Sequence, residues 1–119
     1  MEKVICVLVL YNPNMDLLAK VVSAILPQVD LLWISDNSVE PLSLSSILET
    51  SSKIVYKKMP GNIGIAAAQN YGINYAVEHN YNYLFYLDQD SIVPEDIISK
   101  LLFQYRFLHS PYIPYFHIG

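Results

Sequence analysis

The chain has 119 residues, of which 53% are hydrophobic and 15% charged. That is enough apolar material for one small domain with a core, and too much for a disordered chain. The formal net charge of -4 argues against a nucleic-acid polymer as partner, because phosphate backbones are held by clusters of Lys and Arg.

Lys3 to Leu10 is a continuous β-branched and aliphatic run, the pattern of a strand buried on both faces. As the core of a signal peptide it is too short, and it lacks a small-residue cleavage site. Within it lies Cys6, the single cysteine. One cysteine cannot build a disulfide framework within the chain and fits a reducing compartment. No apolar stretch reaches the length of a membrane span. The expected location is the cytoplasm, with association at the inner face of the membrane left open.

Tyr11-Asn12-Pro13-Asn14 is a turn, since Asn-Pro breaks regular structure. Leu17, Leu18, Val21, Val22, Ile25 and Leu26 then fall at helical spacing, and Pro27 ends that helix. Leu31 to Ser35 is a second apolar strand, followed by the turn chemistry of Asp36-Asn37-Ser38. A short helix is expected over Leu42 to Glu49. Lys53 to Lys58 reads as a third strand, nearer an edge because it carries lysines. Gly64 to Glu78 reads as a helix in which Gly64, Ala68, Gly72 and Ala76 share one face, so its backbone can lie close against a sheet. Tyr83 to Leu87 is a fourth strand. Pro94 is expected in the first turn of a last helix, running to about Leu108. Over Ser110 to Gly119 the alternation should continue into another strand, but no element is assigned there. The expectation is one α/β domain over residues 1–119, truncated at its C-terminal side. Its mostly parallel sheet would have about four strands flanked by helices. A sheet lacking its later strands would leave an edge uncovered, and self-association is expected from that.

In a parallel sheet the clusters Tyr11-Asn12, Asp36-Asn37-Ser38 and Asp88-Gln89-Asp90 share the carboxyl edge, where ligands bind. Asp88 and Asp90 are two apart, so in an extended segment both carboxylates face one way. A Mg²⁺ or Mn²⁺ ion takes one or two such carboxylates and fills its other positions with water and phosphate oxygens. It would neutralise the charge that grows on a departing diphosphate. The plainer reading is a turn or helix cap. For Asp36 the two readings are an Asx-turn and a carboxylate that accepts the N3–H of uracil or thymine. Tyr11 either stacks on a base or fills a sheet edge. Gly61-Asn62-Ile63-Gly64 stands before a helix, where free N–H groups can hold phosphate. It is no Walker loop, and no dinucleotide fingerprint follows the first strand. Asn62 and Asn70 either shape a nucleotide pocket or cap and pack. His79, His109 and His117 form no metal-ligand spacing and read as surface or tail residues. An α/β signalling receiver would need an acidic pair after the first strand, where Tyr11-Asn12-Pro13 stands instead.

Four motifs in order resemble the family-two glycosyltransferases with the GT-A fold. They are Val9-Leu10-Tyr11-Asn12-Pro13, Ser35-Asp36-Asn37-Ser38, Gly61-Asn62-Ile63-Gly64 leading through Asn70 to Gly72, and Leu87-Asp88-Gln89-Asp90-Ser91. The forms of the last two are most similar to the rhamnosyltransferase branch, and the resemblance spans roughly residues 3 to 108. It implies a nucleoside-diphosphate sugar donor such as dTDP-rhamnose, a divalent cation, and inverting transfer to a glycan or lipid-linked acceptor in cell-surface polysaccharide synthesis. By the same resemblance Tyr11, Asn12, Asp36, Asn37, Asn62, Gly64, Asn70 and Asp88 contact the nucleotide-sugar, and Asp90 with Asp88 holds the metal. The family's general base lies in the second half of its domain and is matched by no residue here. The chain alone is therefore expected to be inactive, and a non-catalytic nucleotide-sugar-binding module is the alternative.

Overall fold

The first strand, β1 (Val4–Leu10), lies at the centre of the fold, and its side chains alternate between two apolar layers. The structure is a computed structural model describing residues 2–106 and 115–118. Val4, Cys6, Leu8 and Leu10 belong to one cluster, and Ile5 and Val7 to the other. A strand covered on both faces needs apolar residues at every position, which is why β1 carries no alternation. Burial of Cys6 also pushes its thiol pKa well up, so it packs as an inert hydrophobe.

Helix α1 (Met15–Ile25) starts where Asn14 Oδ1 accepts the Leu17 N–H at 3.0 Å, a side-chain cap on an otherwise orphan donor. It buries Leu18, Val21, Val22 and Ile25 against the first cluster. Each such side chain stabilises the fold by about 2 kcal/mol. Pro27 lies in a single 3-10 turn, Leu26–Gln28, and the chain enters β2 (Leu31–Asp36), every residue of which is buried. A short α2 (Ser45–Leu48) covers only part of the expected 42–49 span. It leads to β3 (Ile54–Lys58), whose burial weakens toward its two lysines.

Helix α3 (Ile65–Glu78) packs on the opposite face through Ala68, Gly72 and Ala76. A Cβ on Gly72 would stand 2.7 Å and 2.9 Å from the Val7 methyls and 3.1 Å from Trp33 Cδ1. The helix backbone therefore rests directly on the sheet. Ser35 Oγ takes the Trp33 indole N–H at 2.8 Å and donates to Ala68 O at 2.8 Å. Its buried hydroxyl is thus satisfied in both roles.

Strand β4 (Tyr83–Leu87) pairs in parallel with β1, and α4 (Ile97–Tyr105) returns to the face of α1. Two expectations are corrected here. Pro94 is not in the first turn of α4 but three residues before it, where its carbonyl accepts the Ile97 N–H at 3.3 Å. The tail also contributes a strand, β5 (Tyr115–Ile118), parallel to β4, so the β4 edge is covered where it was expected to be open. Tyr112 lies outside the described residues, as does the expected end of the last helix at Leu108.

Among the described residues the sheet has five parallel strands in the order β3-β2-β1-β4-β5. Helices lie on both sides, the α/β arrangement of the N-terminal part of a GT-A fold. From β1 the chain steps to one side through β2 and β3, then crosses to the other through β4 and β5. The reversal falls between β1 and β4. At such a switch point the loops that leave the two strands run to opposite sides of the sheet and leave a crevice outside their carboxyl ends.

Candidate functional site

A cavity of about 430 Å³ occupies the crevice. β1 supplies Val9 and the following Tyr11. The end of β2 supplies Asn37, the approach to α3 supplies Asn62 and Gly64, and α3 adds Ile65 and Gln69. The end of β4 supplies Leu87, Asp88, Gln89 and Asp90. Polar groups from four sheet and helix ends therefore converge on one volume. A groove of similar size between α1 and α2 is lined mainly by small and apolar side chains. Its lysine, Lys53, already donates to Leu26 O and Val29 O at 2.8 and 2.9 Å.

The Asp88–Asp90 segment is not extended. The Ser91 N–H donates to Asp88 O at 3.2 Å, closing a turn directly after β4. The alternation argument thus fails for this pair, yet the turn still sets both residues in the cavity lining. Between them, Gln89 turns back to β1. Its Oε1 accepts the Tyr11 N–H at 2.9 Å and its Nε2 donates to Tyr11 O at 3.0 Å. One side-chain amide thereby completes the backbone bonding of Tyr11 as a neighbouring strand would. It also fixes the spacing between the Tyr11 turn and the carboxylates.

At the far end of the cavity, Gly64 has φ +87° and ψ 158° and precedes α3 with no side-chain cap. Its own N–H donates to Asn62 Oδ1 at 3.0 Å. The first N–H groups of an uncapped helix carry partial positive charge and favour an anion.

A family model described as Glycosyl transferase family 2 matches residues 5–108. The chain belongs to that family. Over 100 residues it is 31% identical to the dTDP-rhamnosyl transferase RfbF of Shigella flexneri, an alignment covering 84% of this chain and 33% of the relative. The chain thus spans about a third of that relative's length.

On this family-2 chain the expected site residues divide. Tyr11, Asn37, Asn62, Gly64, Asp88 and Asp90 line the cavity. Asn12, Asp36 and Asn70 are not among its lining residues. Asn12, at φ 43°, braces the neighbouring turn instead: its N–H donates to Ser38 Oγ at 2.9 Å, and its Oδ1 accepts the Val39 N–H at 3.3 Å. Asp36 is fully buried beneath the site. Its Oδ1 accepts the Ser38 N–H at 2.9 Å, an Asx-turn, and its Oδ2 accepts the Tyr56 hydroxyl at 2.5 Å. Asn70 is exposed on α3.

Sequence reasoning missed three participants. Tyr56 became visible only with the β2–β3 register. The bracing role of Gln89 spans 78 residues. His117, read as a tail residue, places Nε2 3.0 Å from Asp88 Oδ1 through the pairing of β5 with β4. Of the remaining histidines, His79 stacks on Tyr75 at 3.9 Å and is not among the cavity's lining residues, and His109 lies outside the described residues.

The resemblance implies a divalent cation. Among the described residues no group of three His, Cys, Asp or Glu side chains is arranged to hold a metal. Asp88 and Asp90 nonetheless offer hard carboxylate oxygens on one cavity wall. That donor set fits Mg²⁺ or Mn²⁺, which keep several waters and rely on substrate phosphates.

Proposed function

We propose that the cavity between β1 and β4 binds a nucleoside-diphosphate sugar, and that the chain forms the donor-binding part of an inverting glycosyltransferase. The observation that carries this reading is the convergence of two carboxylates, an uncapped helix start and polar turn residues on one crevice at the switch point. Asp88 and Asp90 hold a divalent cation against the diphosphate, and the α3 N-terminus faces the same anion. When bound, the cation neutralises charge on the departing diphosphate. Tyr11 and the 36–38 turn form the nucleoside end. The likeness to the Shigella flexneri rhamnosyl transferase supports dTDP-rhamnose as donor and a glycan or lipid-linked acceptor in cell-surface polysaccharide synthesis. A lipid-linked acceptor would bring the protein to a membrane surface, although among the described residues no helix is long and apolar enough to cross one.

Calorimetric titration of this chain with dTDP and Mn²⁺, separately and together, tests the reading. Two carboxylates alone make a weak metal site, so metal and nucleotide should each raise the other's affinity by the same factor, about fivefold or more. Asp90→Ala should remove that coupling and leave the melting temperature within a few degrees, because Asp90 is exposed. Undiminished coupling in this variant would take Asp90 out of the site. Failure to bind nucleoside diphosphate at any metal concentration would overturn the reading.

A further inference from the structure

β1 leaves its two neighbours at different points. It pairs with β4 as far as Leu8, opposite Leu87, but stays paired with β2 as far as Leu10, opposite Asp36. Past Leu8 the β4 side of the strand opens into the cavity, which Val9 and Tyr11 line. Gln89 spans that opening. Its Oε1 accepts the Tyr11 N–H at 2.9 Å and its Nε2 donates to Tyr11 O at 3.0 Å, across 78 residues of sequence. The partners fix which way the amide points, since a backbone N–H only donates and a carbonyl only accepts. Both bonds are exposed, and Tyr11 is 47% exposed. Water can satisfy the same two backbone groups, so the pair adds little to stability. What two bonds from one planar amide do, and a bridging water does less firmly, is hold the two walls at a set spacing.

The two walls carry different ends of the site. On the β4 side Gln89 stands between Asp88 and Asp90, in the turn that the Ser91 N–H closes on Asp88 O at 3.2 Å. On the β1 side Tyr11 runs into Asn12, whose N–H donates to Ser38 Oγ at 2.9 Å and whose Oδ1 accepts the Val39 N–H at 3.3 Å. The Gln89 amide therefore ties the carboxylate turn to both turns of the nucleoside end. In a nucleoside diphosphate the two ends are joined covalently. A site whose halves are already held at the matching distance binds such a molecule without the ordering cost that a loose site incurs. We propose that Gln89 is a positioning residue that sets the span between the diphosphate end and the nucleoside end of the cavity, so that one nucleotide fills both. This inference rests on the reading of the cavity as a nucleoside-diphosphate site.

The test compares a ligand that needs both ends with one that needs a single end. dTDP and inorganic pyrophosphate are titrated as their Mn²⁺ complexes into wild type, Gln89→Ala and Gln89→Met. Methionine fills much the same space as glutamine but makes neither bond. Both variants should bind dTDP about tenfold more weakly than wild type and pyrophosphate within about twofold of it. Their melting temperatures should stay close to that of wild type, because water replaces the two exposed bonds. A purely structural role would not separate the two ligands. If dTDP and pyrophosphate weaken by the same factor, Gln89 serves the carboxylate turn alone and the inference falls. It falls equally if Gln89→Met binds dTDP as wild type does, since the bonds to Tyr11 would then be irrelevant. A wild-type chain that binds neither dTDP nor any other nucleoside diphosphate overturns the reading of the cavity itself, a result distinct from both.

Discussion

Tyr56 sits on β3 two residues before Lys58, which lies opposite Asp36 in the parallel register, so its ring leans along the strand toward the Asp36 carboxylate. The bond between them is charge-assisted and part-buried, with Asp36 buried and Tyr56 partly exposed. Burial first, then the hydrogen bond and charge of Asp36, raise the Tyr56 phenol pKa above its ordinary value of 10.0. A phenol whose folded pKa lies above its unfolded one stabilises the fold fully below about pH 10. That contribution is lost as pH rises through the folded value. Tyr56→Phe should therefore cost about 2 kcal/mol at neutral pH, from a buried carboxylate left one bond short. It should also flatten, without abolishing, the fall in stability above pH 10, since Tyr81 and Tyr83 are shifted the same way. Urea unfolding at pH 7 and above pH 10 measures both effects, and an unchanged alkaline limb would mean that Tyr56 ionises freely. The Asx-turn at Asp36 was legible in the chain because Asp-Asn-Ser carries its own local turn chemistry. Tyr56 was not, because its role depends on how two strands 20 residues apart come into register.

At the scale of elements, α3 joins packing to the site. Its small stripe was readable from a spacing of four, and the structure shows what the stripe permits: a helix backbone resting on Val7 and Trp33. Gly72→Ala should lower stability by about 1–3 kcal/mol, since the new methyl must displace two branched-chain methyls in a packed layer. The intrinsic helix preference for Ala, about 1 kcal/mol, offsets only part of that. Thermal melts decide the sign, with Gly61→Ala as the control because a Cβ there meets nothing within 4 Å. Gly64→Ala is a separate case. Open space surrounds that position, but its φ of +87° belongs to a region held almost only by glycine, so strain of about 1–3 kcal/mol is expected. The helix start also lines the cavity, and its N–H groups would shift with it. Gly64→Ala should therefore weaken dTDP binding as well as stability, whereas Gly72→Ala should affect stability far more than binding. Equal binding by wild type and Gly64→Ala would detach the α3 N-terminus from the diphosphate.

For the whole molecule, the alternation of strands and helices made the parallel sheet and its carboxyl-edge clusters legible, because each element carries its own periodicity. The fifth strand was hidden. Pro111 and Pro114 demote the tail as a strand signal, and β5 begins immediately after Pro114. Once β5 is in place the argument for self-association changes, since β4 is paired and this edge of the sheet passes to the short strand β5. At the other edge, β3 ends in Lys57 and Lys58, charges that discourage pairing with another chain. A chain ended after Arg106 returns that edge to the longer, more buried β4. It loses the pairing of β5 with Leu84 to Leu87, the bond from the Asp88 N–H to Ile118 O at 3.1 Å, and the His117 contact to Asp88. The unpaired backbone of β4 would then flank largely buried apolar side chains, the combination that templates strand addition. Sedimentation velocity across a hundredfold range of concentration should show the shortened chain associating progressively, and at any given concentration more than the full one. Its melting temperature should also be lower. If the shortened chain instead stays monomeric and melts with the full chain, β5 contributes nothing to covering β4, and the Asp88 turn is held by β4 and Gln89 alone.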